Sequence, residues 1–429
     1  MSDQPSDLWL KKMPIDWQRS RIRNVTDLSP NFSKSPPVAD EFCTVVPMEL
    51  VSSDGVIDVS NQQSIEEISM GLPMFEVGDV LFAKITPCME NGKGAFVKQL
   101  PTRYAFGSTE FHVLRPSKKI EGQFLYYATY NPIFREYAAE NMVGAAGQKR
   151  VSTRFLKDTR LFLPPPPEQR RIAAYLDMSC AAIDEAVATK SRQFDILDTL
   201  RKSTIKRAVT LGLNSRVKMK STNVEWIPEM PEHWRLVRVK DVMDFHNTVR
   251  IPLSAAERGV MTDRIYDYYG ASGVIDKVES YLFDGTYILI AEDGANLLTR
   301  SKPLAFLATG QFWVNNHAHI LSPRCGGDDT FFVNLLQSQD FSLFVTGAAQ
   351  PKLTMENLGR FKLPVPRVGE QKEIATFIRK KDEEFRPLLA QIERQIETLT
   401  AYRKSLIHEC VTGQRRITAA DIKRVKQHG

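Results

Sequence analysis

The sequence contains two copies of one plan, and this internal repeat restricts what the chain can fold into. An opening element returns 217 positions later (226 − 9), and a segment further along each copy returns after 202 positions (370 − 168). The matching positions are Trp9, Met13, Pro14 and Trp17 with Trp226, Met230, Pro231 and Trp234, then Glu168-Gln169, Ile172, Ala173 and Arg201-Lys202-Ser203 with Glu370-Gln371, Ile374, Ala375 and Arg403-Lys404-Ser405. We call the part of each copy that begins with the opening element A and the later part B, so the order along the chain is A-B-A′-B′. This order predicts a molecule with two similar ends that bind two similar ligands.

The change of offset and two proline-rich breaks, at 163–167 and 363–366, set the predicted domain boundaries. We predict an A domain over 1–162, a B helix over 163–217, an A′ domain over 218–362 and a B′ helix with a tail over 363–429. The A segments differ freely between matching framework positions, as expected of loops that carry individual functions on a shared scaffold.

Each B segment has an apolar stripe at helical spacing. Apolar residues recur every three or four positions over about six heptads, and at 1.5 Å per residue each helix would extend roughly 60 Å. We predict antiparallel pairing of the two helices, which would put the A domains at opposite ends of a rod; packing on the adjoining A domain is the alternative. At Pro387 we expect a bend or break. The stripes are Ile172, Leu176, Cys180, Ile183, Val187, Phe194, Leu197, Leu200, Ile205 and Ala208, and Ile374, Ile378, Phe385, Leu389, Ile392, Ile396, Leu399, Tyr402, Leu406 and Cys410.

The A segments are richer in strand-like runs than in helical ones. Strands are predicted at 79–83, 110–114 and 287–290, and short helices at 123–137 and 330–344. The fold class is therefore α+β, with two globular domains separated by two long helices that pair as an antiparallel coiled coil.

Composition limits the class of protein. No apolar run approaches the twenty residues that a membrane-spanning helix needs, and the N-terminus has no signal-peptide pattern, so we expect a soluble cytoplasmic protein. The five cysteines are isolated, which is typical of a reducing compartment and argues against a zinc module. The net charge of +6 divides as 0 (19 − 19), +3 (9 − 6), −2 (15 − 17) and +5 (14 − 9) over the four segments. Any DNA binding by the A domains must therefore use local patches.

Catalytic and cofactor motifs are not recognisable. The nearest approach to a nucleotide-binding loop, Asn91-Gly92-Lys93-Gly94, lacks the spacing and the hydroxyl group, and Asn131-Pro132-Ile133 only approximates an adenine methyltransferase motif. His317 and His319 have no third ligand near them, so we interpret His319 and its counterpart His112 as framework residues. We expect no catalytic group, metal or cofactor on this chain.

Two pairs of glycine-punctuated loops remain as candidates. Glutamine can pair bidentately with adenine, and arginine or lysine with guanine, so these loops could read base edges; simple turns are the alternative interpretation. The loops run over 144–150 and 347–352, and over 84–94 and 292–300. The candidate DNA-binding residues are Lys84, Asn91, Lys93, Gln148, Lys149, Arg150, Asn296, Arg300, Gln350 and Lys352.

Taken together, these features resemble the specificity (S) subunit of type I restriction-modification enzymes. The resemblance rests on the two-fold plan, on Trp226-Ile227-Pro228 followed by Met230-Pro231 and Trp234, on the Leu-Pro-x-Pro break before Glu-Gln and a long helix, and on Arg-Lys-Ser near each helix end. It implies that the A domains are target recognition domains, each reading one half of a split DNA sequence, and that the helices set the gap between the halves.

The resemblance also implies partners. Two methylation (M) subunits and two restriction (R) subunits would dock on this chain, and S-adenosylmethionine, ATP and Mg²⁺ would act on those partners. Because the loops of the two domains differ, we expect an asymmetric target with half-sites about one to one and a half duplex turns apart, at roughly 34 Å per turn. A specificity or adaptor chain of another DNA-modification defence system is the alternative. A self-contained DNA-modifying enzyme and a purely structural coiled-coil adaptor are further alternatives.

Overall fold

The computed structural model describes residues 14–30, 42–68, 71–145, 147–347 and 349–428. Trp9 and Met13 of the opening repeat lie outside the described residues, as do Ala146 and Ala348 of the glycine loops. The chain forms two compact units: unit 1 comprises Met1–Ser191 with Arg394–Gly429, and unit 2 comprises Arg192–Glu393. Each unit therefore combines one A domain with part of both B helices.

Unit 1 contains a mixed domain of short strands and helices. Its strands are β1 (Gln18–Arg21), β2 (Thr26–Leu28), β3 (Phe42–Val46), β4 (Gln62–Ser64), β5 (Met74–Phe75), β6 (Val80–Ala83), β7 (Gly94–Phe96), β8 (Ala105–Gly107), β9 (Phe111–Pro116) and β10 (Arg160–Leu163), and its helices are α1 (Gly122–Tyr130), α2 (Pro132–Glu140), α3 (Thr153–Asp158) and the beginning of α4 (Pro166–Leu211). One sheet has the antiparallel order β2-β9-β6-β7, a second has the order β4-β3-β8-β5 with β3 parallel to β8, and β1 pairs with β10 as a separate ribbon.

Unit 2 repeats this plan with a single larger sheet. Its strands are β11 (Met219–Val224), β12 (Ile227–Pro231), β13 (Arg235–Arg238), β14 (Met243–Phe245), β15 (Tyr266–Gly270), β16 (Gly273–Val278), β17 (Phe283–Ala291), β18 (Ala305–Val314), β19 (Ala318–Pro323) and β20 (Lys362–Val365), and its helices are α5 (Val239–Val242), α6 (Ala255–Gly259), α7 (Asn296–Thr299), α8 (Asp329–Ser338), α9 (Met355–Arg360) and the beginning of α10 (Val368–Val411). The sheet has the order β14-β19-β17-β18-β15-β16, with β11–β12 and β13–β20 as separate ribbons. After α10, helix α11 (Ala419–His428) ends the described chain in unit 1.

The predicted strands are confirmed as β6, β9 and β17, whereas the predicted domain helices were wrong in extent. The helix expected over 123–137 is two helices, because Pro132 begins α2 and the buried side chain of Asn131 caps it by accepting a hydrogen bond from the Ile133 backbone N–H (3.2 Å). The helix expected over 330–344 ends at Ser338, and a separate 3₁₀ turn covers Ser342–Phe344.

Strand β6 and residues 288–291 of strand β17 are buried on both faces, which explains their uninterrupted apolar sequences. In unit 1, Phe82 packs in the core that includes α1 and the start of α4, while Leu81 packs on the opposite face against the second sheet. In unit 2, Ile290 and Leu289 divide between two clusters in the same way. The framework match between these two strands therefore reflects one shared two-sided core.

The two long helices pair antiparallel, as predicted. In unit 1, Arg403 near the end of α10 forms an ion pair with Asp184 in the first half of α4 (2.9 Å). In unit 2, Arg201 near the end of α4 forms an ion pair with Asp382 in the first half of α10 (2.8 Å). The alternative packing also contributes, because Ile172 and Ile374, in the second turn of their helices, are buried in the core of the adjoining domain.

The predicted helical stripes were wrong at two positions. Leu200 and Tyr402, predicted in the buried stripes, are 50% and 48% exposed, because the following residues Arg201 and Arg403 face the interior instead. At Pro387, where a bend or break was expected, α10 stays helical without a break from Val368 to Val411. Pro387 lies on an exposed part of the helix, where water can hydrogen-bond the carbonyl group that loses its partner.

In each unit, one hydrogen bond joins the opening element of the sequence repeat to the segment that begins the long helix. The Trp17 indole Nε1–H donates to Glu168 Oε2 (3.1 Å), and the Trp234 indole Nε1–H donates to Glu370 Oε1 (3.0 Å). The neighbouring glutamine is also used: Gln169 Oε1 accepts a hydrogen bond from the backbone N–H that precedes α1 (2.7 Å). Gln371 does the same before α8 (3.1 Å). The repeated Trp and Glu-Gln residues thus fasten each domain to the start of its own long helix.

Candidate nucleic-acid interface

The four candidate loops come together as two composite surfaces, one in each unit. In unit 1, the Thr86 backbone N–H donates to the Lys149 carbonyl (3.0 Å), and the Val151 N–H donates to the Lys84 carbonyl (2.8 Å). These bonds join the turn over 84–94 to the glycine loop over 144–150. The sequence predicted both loops but not their contact.

Unit 2 makes the same connection at the equivalent positions. The Gly294 N–H donates to the Pro351 carbonyl (3.0 Å), and the Leu353 N–H donates to the Glu292 carbonyl (2.7 Å). The turn over 292–300 is thereby joined to the glycine loop over 347–352. One hydrogen-bonded frame therefore supports the candidate residues of both units.

Each glycine loop is closed at its base and requires its first glycine. Val143 and Arg150 exchange two backbone hydrogen bonds (2.8 and 3.0 Å), as do Thr346 and Lys352 (2.7 and 2.9 Å). A Cβ on Gly144 would lie 2.8 Å from the Gln148 carbonyl oxygen, and a Cβ on Gly347 would lie 2.6 Å from the Gln350 carbonyl oxygen. Both glycines also have positive φ, so another residue would strain the loop.

A buried histidine is hydrogen-bonded to each frame. His112 Nε2–H donates to the Val151 carbonyl (2.9 Å), and His319 Nε2–H donates to the Leu353 carbonyl (2.7 Å) while its Nδ1 accepts from Asn247 (2.8 Å). Burial lowers the pKa of His112 to about 4 and also lowers the pKa of His319, so both rings are neutral near pH 7. The framework interpretation of these histidines agrees with these contacts. Within the described ranges, no group of three His, Cys, Asp or Glu residues could hold a metal ion.

One cation of each glycine loop is held by a carboxylate. Arg150 forms a forked ion pair with Glu110 (2.8 Å), and the hydrogen bond from Arg150 lowers the pKa of Glu110. Lys84 is half-buried beside this pair, and burial lowers the pKa of its ammonium group. In unit 2, Lys352 pairs with Glu292 (3.2 Å), which also binds Arg250 (2.6 Å).

The sequence prediction missed Glu110 and Arg250. Glu110 is the residue before strand β9, at the edge of a predicted strand, and nothing in the one-dimensional pattern connects it to position 150. Arg250 reaches Glu292 from a 3₁₀ turn that the sequence did not reveal (Asn247–Val249). Only the pairing of distant loops identifies these two residues.

The remaining candidates of unit 1 divide between exposed and structural positions. Gln148, Lys149 and Asn91 are exposed at the loop tips. The Lys93 ammonium group instead donates to the Met48 carbonyl (2.9 Å). The buried guanidinium of Arg135 donates to the carbonyls of Met89 (2.8 Å) and Lys93 (3.2 Å), which fixes the shape of the turn.

The remaining candidates of unit 2 are mostly structural. Asn296 Oδ1 accepts from the Lys302 N–H (2.8 Å), so the side chain closes its own turn. Arg300 has positive φ, and its guanidinium donates to the backbone carbonyls of Gln337 and Gln339. Gln350 is exposed at the loop tip. The arrangement favours Gln350 and Lys352 over Asn296 and Arg300 as contacts with a ligand.

The fold has two similar domains, and the loop pairs of the two domains expose different side chains. Such a fold is typical of a single chain that recognises two different sites. A family model described as the type I restriction modification DNA specificity domain matches residues 14–188 and 231–398, once for each A domain. The chain therefore belongs to the family of type I restriction modification DNA specificity proteins.

Individual relatives agree with this family. The chain is 32% identical over 165 residues to the type I restriction enzyme EcoAI specificity subunit of Escherichia coli; the match covers 38% of this chain and 27% of that relative. It is 22% identical over 428 residues to the putative type I restriction enzyme MjaX specificity subunit of Methanocaldococcus jannaschii, which covers 95% of both chains. The chain thus spans about a quarter of the length of the E. coli relative and nearly all of the archaeal one.

A solved structure has the same fold. It comes from work on complex assembly and conformational transition of the type I R-M system, and the similarity has a TM-score of 0.69 at 16% identity over 93% of this chain and 98% of that chain. At this identity the likeness concerns the fold alone. In the part of the chain that the structure describes, no helix is long and apolar enough to cross a membrane.

Proposed function

We propose that this chain is the DNA specificity subunit of a type I restriction-modification system and that each unit recognises one half of a split target. The observation that carries this proposal is the recurrence of one hydrogen-bonded frame with different exposed side chains. A repeated frame with different tips is what two different half-sites require. The family membership and the specificity subunits among its relatives support the same role.

The exposed tips have the chemistry of base readers. Gln148 and Gln350 each carry a donor and an acceptor that match the edge of adenine, and Lys149, Arg150 and Lys352 can donate to guanine. Glutamate partners hold Arg150 and Lys352 in fixed directions, which lowers the conformational entropy lost on binding. Asn91 extends the reading surface of unit 1 in this proposal.

The difference between the two glycine loops determines the form of the DNA target. The loop of unit 1 has seven residues over 144–150, and that of unit 2 has six over 347–352, with different side chains. The two half-sites therefore differ in sequence, and the target is not palindromic. The paired helices α4 and α10 set the gap of about one to one and a half duplex turns.

The chemical steps belong to partner subunits in this proposal. Two methylation subunits dock on the chain and transfer a methyl group from S-adenosylmethionine to adenine, and two restriction subunits use ATP and Mg²⁺ for cleavage. This chain contributes recognition and assembly without a catalytic group of its own. It acts in the cytoplasm, where the host DNA is accessible.

The test is to express this chain together with the methylation subunit encoded beside it and to map N6-methyladenine across the host DNA by long-read sequencing. A split, asymmetric motif that requires this chain is the expected result. Cells with the methylation subunit alone are the control. A continuous or palindromic motif, or methylation that does not depend on this chain, would contradict the proposal. A stable complex that leaves host DNA unmethylated would favour the structural adaptor instead.

A further inference from the structure

Unit 2 carries a second histidine on its hydrogen-bonded frame, two residues before the buried His319. His317 lies in the turn between strands β18 and β19, and its side chain is 47% exposed. Its Nδ1 lies 2.9 Å from both carboxylate oxygens of Asp293. Because a carboxylate only accepts hydrogen bonds, Nδ1 carries a proton and donates it to Asp293. This bond fixes the orientation of the ring and leaves Nε2 as its second hydrogen-bonding group.

The backbone of this pair is part of the frame that joins the two loops of unit 2. The Glu292 N–H donates to the His317 carbonyl (2.9 Å). Asp293 forms an antiparallel bridge with Lys352 of the glycine loop. Asn315 Oδ1 accepts from the His317 N–H (2.8 Å), which closes the turn that carries the ring. The imidazole is therefore attached to the frame of the glycine loop through a fixed backbone.

The position of His317 holds a glutamate in unit 1. There the Lys84 N–H donates to the Glu110 carbonyl (2.9 Å), which matches the bond between Glu292 and His317. The Glu110 carboxylate binds the arginine of its glycine loop. In unit 2 the carboxylate of Glu292 binds the loop lysine instead (3.2 Å), so the residue at position 317 is not needed to hold the loop. The ring of His317 is thus available for another contact.

Asp293 has the surroundings expected of a residue that orients the ring. Its counterpart in unit 1 is the apolar Ile85, since each of the two residues forms the bridge to its own glycine loop. The Asp293 side chain is 16% exposed, and among the described residues its side-chain partner is His317 alone. An exposed ion pair contributes little stability, and Asn315 already closes the turn. The direction that the pair gives to Nε2 explains it better than stability does.

We propose that His317 reads a base edge in the half-site that unit 2 recognises and that Asp293 is its positioning residue. This inference rests on the proposed function and adds a specificity-determining residue to the glycine loop of unit 2. In the part of the chain that the structure describes, Nε2 has no hydrogen-bond partner. In the neutral ring Nε2 accepts, as the amino groups of cytosine and adenine require, and in the protonated ring it donates, as guanine requires.

The charge of the pair favours a base over a phosphate as the ligand. His317 and Asp293 together are negative when the ring is neutral and uncharged when it is protonated. The adjacent Glu292 carboxylate is itself bound by Arg250 (2.6 Å) and Lys352 (3.2 Å). Phosphate contacts depend on positive charge, whereas a base edge requires a directed donor or acceptor. The oriented Nε2 supplies the second of these.

The experiment uses the full chain in complex with its methylation subunits, after the methylated motif of the unaltered chain has been mapped. Fluorescence anisotropy compares a duplex that carries this motif with duplexes that carry one substituted base pair in either half-site. His317→Ala should reduce discrimination at one base of the half-site affected by Gln350→Ala by about fivefold, which corresponds to one hydrogen bond of ordinary net strength. Asp293→Ala should relax the same base by a smaller factor, because the ring remains but loses its orientation. Adding Asp293→Ala to His317→Ala should have no further effect, since Asp293 acts through the ring.

Gln311→Ala is the matched control. Gln311 Nε2 donates to Asp284 (3.0 Å) near the start of strand β17, and that aspartate lies roughly 30 Å along the strand from Asp293. The control therefore also removes an exposed polar partner of an aspartate, and it should leave every base preference unchanged. His317→Asn keeps a polar side chain that is too short to replace the imidazole. It should show the same loss as alanine, and it gives the comparison if the alanine variant fails to fold.

Three results would overturn the inference. Unchanged discrimination at every base of that half-site would leave His317 and Asp293 as a surface ion pair. An equal loss of affinity for all duplexes would indicate a contact with the sugar-phosphate backbone and not with a base. Additive effects of the two alanine substitutions would mean that Asp293 does not act through the ring. The proposed function fails separately, if the unaltered chain directs no methylation to a split target.

Discussion

The two recognition domains use the same supports but build their turns differently. In both units a neutral histidine donates to the residue after the glycine loop, and two backbone bonds join that loop to a second turn. In unit 1, the arginine that fixes the second turn lies on helix α2, where Arg135 donates to carbonyls of the turn. In unit 2, the arginine lies in the turn, and Arg300 donates to carbonyls at the end of helix α8 and just beyond it.

This difference explains why residue type alone cannot identify a reader. A turn needs a fixed attachment to the neighbouring helix, and an arginine can provide it from either side because its planar group reaches two carbonyls at once. Arg300 therefore fits a guanine reader in the sequence but has a structural role in the fold. Recognition residues are better identified by exposure at the loop tip, where unit 1 has Gln148 and unit 2 has Gln350.

The largest expected effect tests the tryptophan–glutamate hydrogen bond that attaches each domain to the start of its long helix. Trp17→Ala and Trp234→Ala should each destabilise mainly the unit that contains the tryptophan, by about 3–5 kcal/mol, because each removes a buried indole and one of the hydrogen-bond donors to a glutamate. Hydrogen exchange should report lost protection in unit 1 for the first variant and in unit 2 for the second. Ile196→Ala, at a side chain that is 67% exposed, is the control and should cost less than about 0.5 kcal/mol. Equal loss of protection in both units would contradict the division into two units.

The sequence predicted those features that depend on local pattern or on repetition. The long helices, the strands β6, β9 and β17 and the framework histidines follow from apolar spacing and from matching positions. The helix continues past Pro387 without a break because it is exposed there, and the stripe failed at Leu200 because Arg201 has a partly buried acidic partner on the other helix. Spacing within one segment carries no information about a partner from another.

The candidate site shows the same limit. The glycine loops could be located because both copies carry them, and glycine at the base is required by the backbone. Glu110 and Arg250 could not be located, because each depends on which distant strands and loops pair. Cross-strand register is a property of the folded sheet and leaves little trace in a single sequence.

A smaller effect, the loss of stability at acidic pH, should differ between the units that contain His112 and His319. The pKa of buried His112 is about 4, below its ordinary value near 6.5, so the unfolded chain binds a proton at mildly acidic pH that the folded chain does not. Stability of unit 1 should therefore be complete above pH 6.5 and fall as the pH drops towards 4, by about 2 kcal/mol at pH 5. In unit 2 the Glu292 carboxylate lies 3.6 Å from His319 Nδ1 and favours the charged ring, so the loss should be smaller.

Urea unfolding between pH 7 and 5, followed by hydrogen exchange in each unit, measures this difference. His112→Gln keeps a side-chain N–H that can donate to the Val151 carbonyl, and it should flatten the pH dependence of unit 1 alone. If the substituted protein retains the full pH dependence, groups other than His112 cause the acid sensitivity.

The smallest expected effect addresses what each unit reads. Gln148→Ala and Gln350→Ala each remove one exposed side chain from equivalent loop tips and leave the glycine base intact. A bidentate base contact contributes about 1–3 kcal/mol of discrimination, and an exposed tip should give the lower end, or about fivefold relaxation at one base. Methylome sequencing should show the relaxed position in one half-site for Gln148→Ala and in the other for Gln350→Ala. Since the two loops lie in separate units, a variant that relaxes both half-sites equally would mean that the tips act through assembly and not by reading bases.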